Sequence, residues 1–178
     1  MPRRRFAVAL LVPAPVSIEI DALRRALDDR QLGRIDPHIT IVPPINLREG
    51  EVADAMATVD AAASRCPPCE LTLGPLETFG PSSPVRFLAV EPAAPVDAIH
   101  RACWTGVFDR EEKRPFHPHV TVDIDGSPTD GDDPALKLLT GYTAEVTIEE
   151  VTLLEHHHDD AGRRWEPFSR YRLTGSVR

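Results

Sequence analysis

The chain has 178 residues, of which 42% are hydrophobic and 27% are charged, a composition typical of a globular domain that excludes a disordered chain. No apolar run approaches the ~20 residues that a membrane-spanning helix requires. The net charge of −8 excludes a protein that coats nucleic acid non-specifically, because such proteins need a surplus of Lys and Arg.

Helix-like and strand-like segments alternate along the chain. Helices are predicted where apolar residues recur at helical spacing, and strands where short apolar, β-branched runs lie between turn residues. In chain order, the pattern predicts a strand at 6–12, a helix from a Ser17 cap to about 29, a strand at 35–42 that stops at Pro43-Pro44, a helix at 51–64, strands at 70–73 and 85–90, a helix at 96–108, a strand at 119–124, an acidic loop at 126–133, a short helix near 134–139, and strands at 144–154 and 170–173 joined by a polar hairpin loop.

The order of these elements suggests a duplication. Pro37-His38-Ile39-Thr40-Ile41 recurs 81 positions later as Pro118-His119-Val120-Thr121-Val122, and each copy follows a predicted helix. We therefore expect an α+β fold formed by residues 1–178 as one bilobal domain. Its two antiparallel sheets, flanked by helices, would be related by pseudo-twofold symmetry around a central cleft. The approximate lobes are 1–88 and 89–178, with terminal strands that can cross between them.

The two His-x-Thr segments are the candidate catalytic residues. Alternate side chains of a strand face the same way, so His38 and Thr40 share one face, as do His119 and Thr121. The β-branched residues between them would anchor each strand in a core. If the two lobes meet about a twofold axis, the four polar side chains converge on one cleft.

This constellation suits the hydrolysis of a phosphodiester. One imidazole can take a proton from water while the other supplies a proton to the leaving oxygen, and either histidine could have either role. The threonine hydroxyls can donate hydrogen bonds to the non-bridging oxygens, where negative charge must be stabilised. No carboxylate cluster accompanies the motifs, so we expect neither a metal nor another cofactor. A single His-x-Thr strand is more often structural, and the prediction depends on the pair.

The chain resembles the 2H phosphoesterase superfamily, specifically the group of 2′-5′ RNA ligases and RNA 2′,3′-cyclic phosphodiesterases. Two His-hydrophobic-Thr-hydrophobic motifs carry the resemblance, and the order of segments fits over nearly the whole chain. The resemblance implies metal-independent hydrolysis of 2′,3′-cyclic phosphates to 2′-phosphates, and some members also join RNA ends through a 2′-5′ linkage. RNA-directed relatives often have a basic residue shortly after the second motif, whereas this chain has Asp123-Ile124-Asp125. This difference favours a small cyclic nucleotide or an RNA terminus as the substrate.

Several further residues have more than one interpretation. Phe116 is the candidate for stacking on a base, and His117 could contact the substrate at the rim of the cleft. His117 and His119 could also form a metal-binding pair. The run 156–158 of three histidines could hold a metal, although a solvated loop is the favoured interpretation.

The cysteines indicate where the protein works. Cys66, Cys69 and Cys103 cannot all pair in disulfides, and no export signal is evident, so we expect the protein to work in a reducing cytoplasm. We also expect a monomer. Cys66 and Cys69 have redox-motif spacing, but they follow a predicted helix instead of beginning one, where a thiol pKa would be lowered. The alternative to an enzyme is a non-catalytic module that binds a nucleotide or an RNA end in the same cleft.

Overall fold

The structure is a computed structural model that describes residues 3–27, 29–80, 83–124, 140–159 and 162–176. The described residues form three α-helices and eight β-strands, which confirms the α+β class. The helices are α1 (Val16–Ala26), α2 (Val52–Arg65) and α3 (Ala93–Cys103). The strands are β1 (Arg3–Leu11), β2 (His38–Arg48), β3 (Cys69–Thr78), β4 (Arg86–Glu91), β5 (His119–Asp123), β6 (Ala144–Ile148), β7 (Glu150–Asp159) and β8 (Gly162–Arg172). The acidic loop predicted at 126–133 and the short helix predicted near 134–139 lie outside the described residues.

The eight described strands belong to one antiparallel sheet in the order β6-β3-β4-β5-β2-β1-β7-β8. The prediction of two separate sheets is therefore wrong for the described part of the chain. The reason lies at the centre of the sheet, where β2 pairs with β5 through Ile39 and Val120. This short pairing joins two groups of four strands edge to edge and brings the two His-x-Thr segments side by side.

The two groups of strands draw on both halves of the chain. The late strands β7 and β8 extend the sheet beyond β1, the first strand of the chain. The approximate lobe boundary at residue 88 falls inside β4. The pseudo-twofold relation between the lobes stays a prediction.

Two of the helices depart from their predicted bounds for local reasons. Helix α1 begins at Val16 after Pro15, and no side chain caps it, so the predicted cap at Ser17 is wrong. Helix α3 ends at Cys103 instead of continuing to 108, and a short 3-10 turn follows at Gly106–Phe108. Gly106 has a φ of +59°, a left-handed conformation that cannot continue an α-helix.

Helix α2 matches its predicted pattern most closely. Its buried positions recur at helical spacing and face one continuous apolar core: Val52, Ala55, Val59, Ala62 and Ala63. None of the helices in the described ranges is long and apolar enough to span a membrane.

Strand β2 does not stop at its prolines. It continues through Pro43 and Pro44 to Arg48, which corrects the predicted end of the strand. The two prolines lie where the register with β1 shifts, between Val42 and Ile45. A proline lacks the N–H that a regular ladder uses, so an irregular position of this kind tolerates it.

The predicted loop around the three histidines is a β-hairpin. Strand β7 runs to Asp159, and β8 pairs with it from Gly162 onward, so the predicted solvated loop is wrong. The polar residues of this hairpin hide the apolar alternation by which a strand is recognised. The predicted strand at 144–154 is divided at Glu149 into β6 and β7.

Candidate active site

The two His-x-Thr segments adopt the strand alternation that their sequences predict. Their apolar members are fully buried: Ile39, Ile41, Val120 and Val122. Their polar members keep partial exposure: His38, Thr40, His119 and Thr121. Each buried β-branched side chain contributes about 1.5–3 kcal/mol relative to an exposed one, so the core fixes both strands and thereby the direction of the polar side chains.

The pairing of β2 with β5 places each histidine beside the threonine of the other motif. Because Ile39 lies opposite Val120 in an antiparallel pair, His38 is next to Thr121 and Thr40 is next to His119. The two histidines are diagonal neighbours on one face, and such neighbours are about 7–8 Å apart in a regular sheet. The two imidazoles therefore project from neighbouring positions on the same face of the sheet.

Both histidines are held by the same backbone hydrogen bond. His38 Nδ1 lies 2.8 Å from the carbonyl oxygen of Asp36, and His119 Nδ1 lies 2.7 Å from that of His117. A carbonyl oxygen only accepts hydrogen bonds, so each Nδ1 carries a proton and donates it. The other ring nitrogen, Nε2, is then the one that can accept or supply a proton in catalysis.

Both imidazoles favour the neutral state. Burial lowers the pKa of His38 to about 4, with further lowering by the nearby charges of Arg24 and His119, and the hydrogen bond to Asp36 opposes the shift. Burial also lowers the pKa of His119. The nearby charge of His117 lowers this pKa further, whereas the hydrogen bond to the His117 carbonyl raises it. At neutral pH, the free protein therefore offers an Nε2 lone pair that can act as a base.

Arg24 on α1 is buried and contacts both β5 and the segment that precedes β2. Its side chain is only 1% exposed, and its guanidinium donates hydrogen bonds to the carbonyl oxygens of Thr121 at 2.8 Å and Ile35 at 3.1 Å. Asp21 and Asp29 lie 3.3 and 3.9 Å from it. Arg24 thus ties β5 to the segment that enters β2.

The sequence interpretation missed Arg24, although a signal for it exists. It lies four residues after Ile20 on α1, on the buried face that also contains Val16. An arginine at an apolar position of an amphipathic helix indicates a buried cation with dedicated partners. Burial lowers the pKa of Arg24, and the two aspartates oppose that shift.

A cavity of about 810 Å³ opens beside the motifs. Thr40 and His119 line it together with the predicted substrate residues Phe116 and His117, and a charged segment at 110–115 forms one wall. His38 and Thr121 are not among its lining residues and lie beside it on the paired strands. The cavity therefore contacts the threonine of the first motif and the histidine of the second.

The two predicted substrate residues have different surroundings. The ring of Phe116 stacks on His100 with centroids 3.9 Å apart, so one of its faces is covered. His100 itself is fixed by contacts with the Ile41 carbonyl at 2.8 Å and Glu112 at 3.2 Å. His117 is exposed at the cavity and also provides the carbonyl that orients His119.

Phe79 is an aromatic residue of this cavity that the sequence interpretation missed. It follows the end of β3 and lines the cavity beside His119, with the two ring centroids 5.0 Å apart. Its position in a Gly/Pro/Ser turn region gave no periodic pattern that could assign it to a core. An aromatic side chain in such a turn is the signal that could have identified it.

Asp123 is not among the residues that line the cavity. Its side chain is buried and lies 3.3 Å from Arg86 on β4. The negative charge of Asp123 is therefore paired with Arg86 inside the protein.

The remaining candidate groups stay apart from this cavity. Cys66, Cys69 and Cys103 are free and buried, and burial raises the pKa of Cys69 to about 11 and of Cys103 to about 12, so these thiols are unreactive at neutral pH. His156 contacts Trp165, whereas His157 lies near Glu155. Within the described ranges, no three His, Cys, Asp or Glu side chains come together as a metal site.

Curated relatives and solved structures match nearly the whole chain. Two relatives, both named "Putative phosphoesterase", come from Oceanobacillus iheyensis and from Staphylococcus aureus strain Newman. The first is 22% identical over 165 residues, which are 92% of this chain and 96% of the relative. The second is 25% identical over 170 residues, which are 95% and 99% of the two chains.

The fold is shared with two solved structures. E. coli LigT in its apo form has a TM-score of 0.69 at 22% identity, with 98% of this chain and 99% of LigT covered. TT0787 of Thermus thermophilus has a TM-score of 0.67 at 18% identity, with 97% and 100% covered.

The family model of the 2′-5′ RNA ligase superfamily matches residues 12–160, a range that includes both His-x-Thr segments. Family and relatives together support a phosphoesterase activity. The chain belongs to the 2′-5′ RNA ligase superfamily, the 2H phosphoesterases that its two motifs resemble.

Proposed function

We propose that the protein hydrolyses 2′,3′-cyclic phosphates to 2′-phosphates without a metal ion. The observation that carries the proposal is the reciprocal arrangement of the motifs, in which each histidine lies beside the threonine of the other. Two groups suited to proton transfer and two hydroxyl donors then lie at neighbouring positions on one face of the sheet.

We assign a role to each motif from the surroundings of its histidine. His38 is neutral at pH 7 because burial lowers its pKa to about 4, so its Nε2 accepts a proton from the attacking water. The water oxygen bonds to phosphorus, the bond from phosphorus to O3′ breaks, and protonated His119 supplies the proton to O3′. The product keeps the phosphate on O2′. The negative phosphate raises the pKa of both imidazoles when it binds. The nearby charge of Arg24 opposes protonation of His38, so we assign the protonated role to His119.

Thr40 and Thr121 lie on the same face as the imidazoles. Their hydroxyl groups donate hydrogen bonds to the non-bridging phosphate oxygens, whose charge grows as phosphorus becomes pentacoordinate. This contribution depends on the strands being fixed, which the buried apolar members of both motifs ensure.

The substrate is a small cyclic nucleotide or the terminus of an RNA. A cavity of about 810 Å³ is in the range of sites that enclose small molecules. Structures of E. coli LigT have been solved with 3′-AMP and with ATP. Both motifs come from one chain, so a monomer working in the cytoplasm would have a complete site.

The test measures the turnover of nucleoside 2′,3′-cyclic phosphates in the presence of EDTA. Phosphorus NMR reports the rate and identifies the product. We expect the nucleoside 2′-phosphate as the product at an undiminished rate. A rate abolished by EDTA, or a 3′-phosphate product, would contradict the mechanism. Tight binding of a nucleoside 2′-phosphate without turnover of any cyclic substrate would instead support the non-catalytic binding module.

A further inference from the structure

Phe79 presents an open aromatic surface inside the cavity. Its side chain is 50% exposed, and it lines the cavity together with His119. Exposing half of a phenylalanine to water costs free energy that burial would recover, so an aromatic face left open inside a cavity indicates an apolar ligand group.

The ring is held in place although it is exposed. It packs on the buried ring of Phe87 with centroids 4.4 Å apart and an interplanar angle of 32°. His119 and His117 meet it edge to face, at 5.0 and 5.7 Å. Three aromatic neighbours thus restrain the ring before any ligand binds, which lowers the entropy cost of stacking a ligand on it.

The other aromatic rings of the cavity also have partners, and they are more covered than Phe79. Phe116 stacks on His100 at 3.9 Å with an interplanar angle of 4°. Trp104 has the guanidinium of Arg110 at 5.4 Å from its ring, and its Nε1 donates a hydrogen bond to the Arg110 carbonyl at 3.0 Å. Both rings are less exposed than Phe79. Phe79 is therefore the aromatic surface of this cavity with the most room for a ligand.

We infer that Phe79 stacks on the base of the substrate and makes the enzyme specific for cyclic phosphates that carry an aromatic base. This inference rests on the proposed function, since a 2′,3′-cyclic phosphate must lie between His38 and His119. In such a substrate the base is attached to C1′, the neighbour of C2′, so it lies within one ribose of the phosphorus. The ring of Phe79, 5.0 Å from that of His119, is at a position where such a base can stack.

The test compares two substrates that differ only in the base: adenosine 2′,3′-cyclic phosphate and the 2′,3′-cyclic phosphate of methyl riboside. We expect Phe79→Ala to lower kcat/KM for the adenosine substrate about 5- to 150-fold, the range for the loss of one base–aromatic stack. The loss for the riboside substrate should be smaller by about that factor, and Phe79→Trp should retain the preference for adenosine. Phe168→Ala is the control, because Phe168 is 38% exposed but packs on Phe6 away from the cavity.

A role of Phe79 in holding His119 would give a different result. In that case Phe79→Ala would slow both substrates equally and would shift the pH profile of both, which would overturn the inference. Unchanged kcat/KM for adenosine would overturn it as well.

Binding separates this inference from the proposed function. Calorimetry with adenosine 2′-phosphate and with methyl riboside 2′-phosphate reports the same contact without turnover. If the wild-type protein hydrolyses neither cyclic substrate, yet Phe79→Ala weakens only the adenosine ligand, the proposed function is wrong and the stacking role stands. If Phe79→Ala weakens both ligands equally, or neither, the stacking role is wrong.

Discussion

The surroundings of His38 and His119 differ although their local geometry is the same. Each imidazole donates from Nδ1 to the carbonyl two residues earlier, at 2.8 and 2.7 Å. Arg24 adds a positive charge near His38, whereas His119 lies among the aromatic rings of Phe79 and Phe87. The shared local geometry therefore fixes which nitrogen of each imidazole donates to the backbone, and the neighbouring elements decide how readily the other nitrogen is protonated.

The largest loss of activity is expected when either of the two histidines is replaced. His38→Ala and His119→Ala should each lower kcat for a cyclic nucleotide by ~10²–10⁴-fold, because each removes one proton-transfer group. Steady-state kinetics measure both losses. His158→Ala, in β7, is the matched control and should retain full activity. A loss from only one of the two variants would contradict the paired mechanism.

The positive charge of Arg24, which lies near His38, can also be removed by substitution. Arg24→Met should lower the free energy of unfolding by about 3–5 kcal/mol, because it leaves buried carbonyl oxygens and the Asp29 carboxyl group without their cation. Urea denaturation measures this loss. Arg25→Met, at the next and exposed position of α1, should change stability by less than about 0.5 kcal/mol. Equal effects of the two substitutions would show that Arg24 does not connect the strands.

The two hydroxyl groups give a smaller expected effect. Thr40→Val and Thr121→Val keep the branched shape but remove a donor to a charged phosphate oxygen, which should lower kcat about 10- to 150-fold each. Thr40→Ser and Thr121→Ser retain the hydroxyl and should recover most of the rate. Serine variants as slow as the valine variants would indicate that the side chains only pack.

The pH dependence of kcat/KM should show the smallest effect, which comes from the different pKa values of the two histidines. A base must be deprotonated, so kcat/KM should fall only as pH drops toward the His38 pKa of about 4. An acid must be protonated, so kcat/KM should also fall as pH rises through the lowered pKa of His119. We therefore expect a higher kcat/KM at about pH 5.5 than at about pH 8. An optimum on the alkaline side of neutrality would contradict this assignment.

The sequence predicted the parts of the site that depend on local pattern. Alternation of β-branched and polar residues in the two motifs places Thr40 and Thr121 on the polar face of each strand, as the structure shows. Helical spacing likewise located α2 to within one residue at either end. These features depend on neighbours a few positions apart, which a single sequence displays directly.

The parts that depend on distant pairing could not be predicted in this way. Arg24 gains its partners from β5 and from the segment before β2, and no local pattern records those contacts. The single sheet depends on the pairing of Ile39 with Val120, between residues 81 positions apart. Phe79 lies in a turn, where the absence of periodicity gives no indication of what its ring faces.

The most direct test of the paired mechanism is kcat/KM of the double variant His38→Ala/His119→Ala beside the two single variants. If the two imidazoles act together on one phosphodiester, losing the second after the first should matter little, and the double variant should stay within about tenfold of the slower single variant. Losses that multiply in the double variant would mean that the two histidines act independently, and would contradict the account.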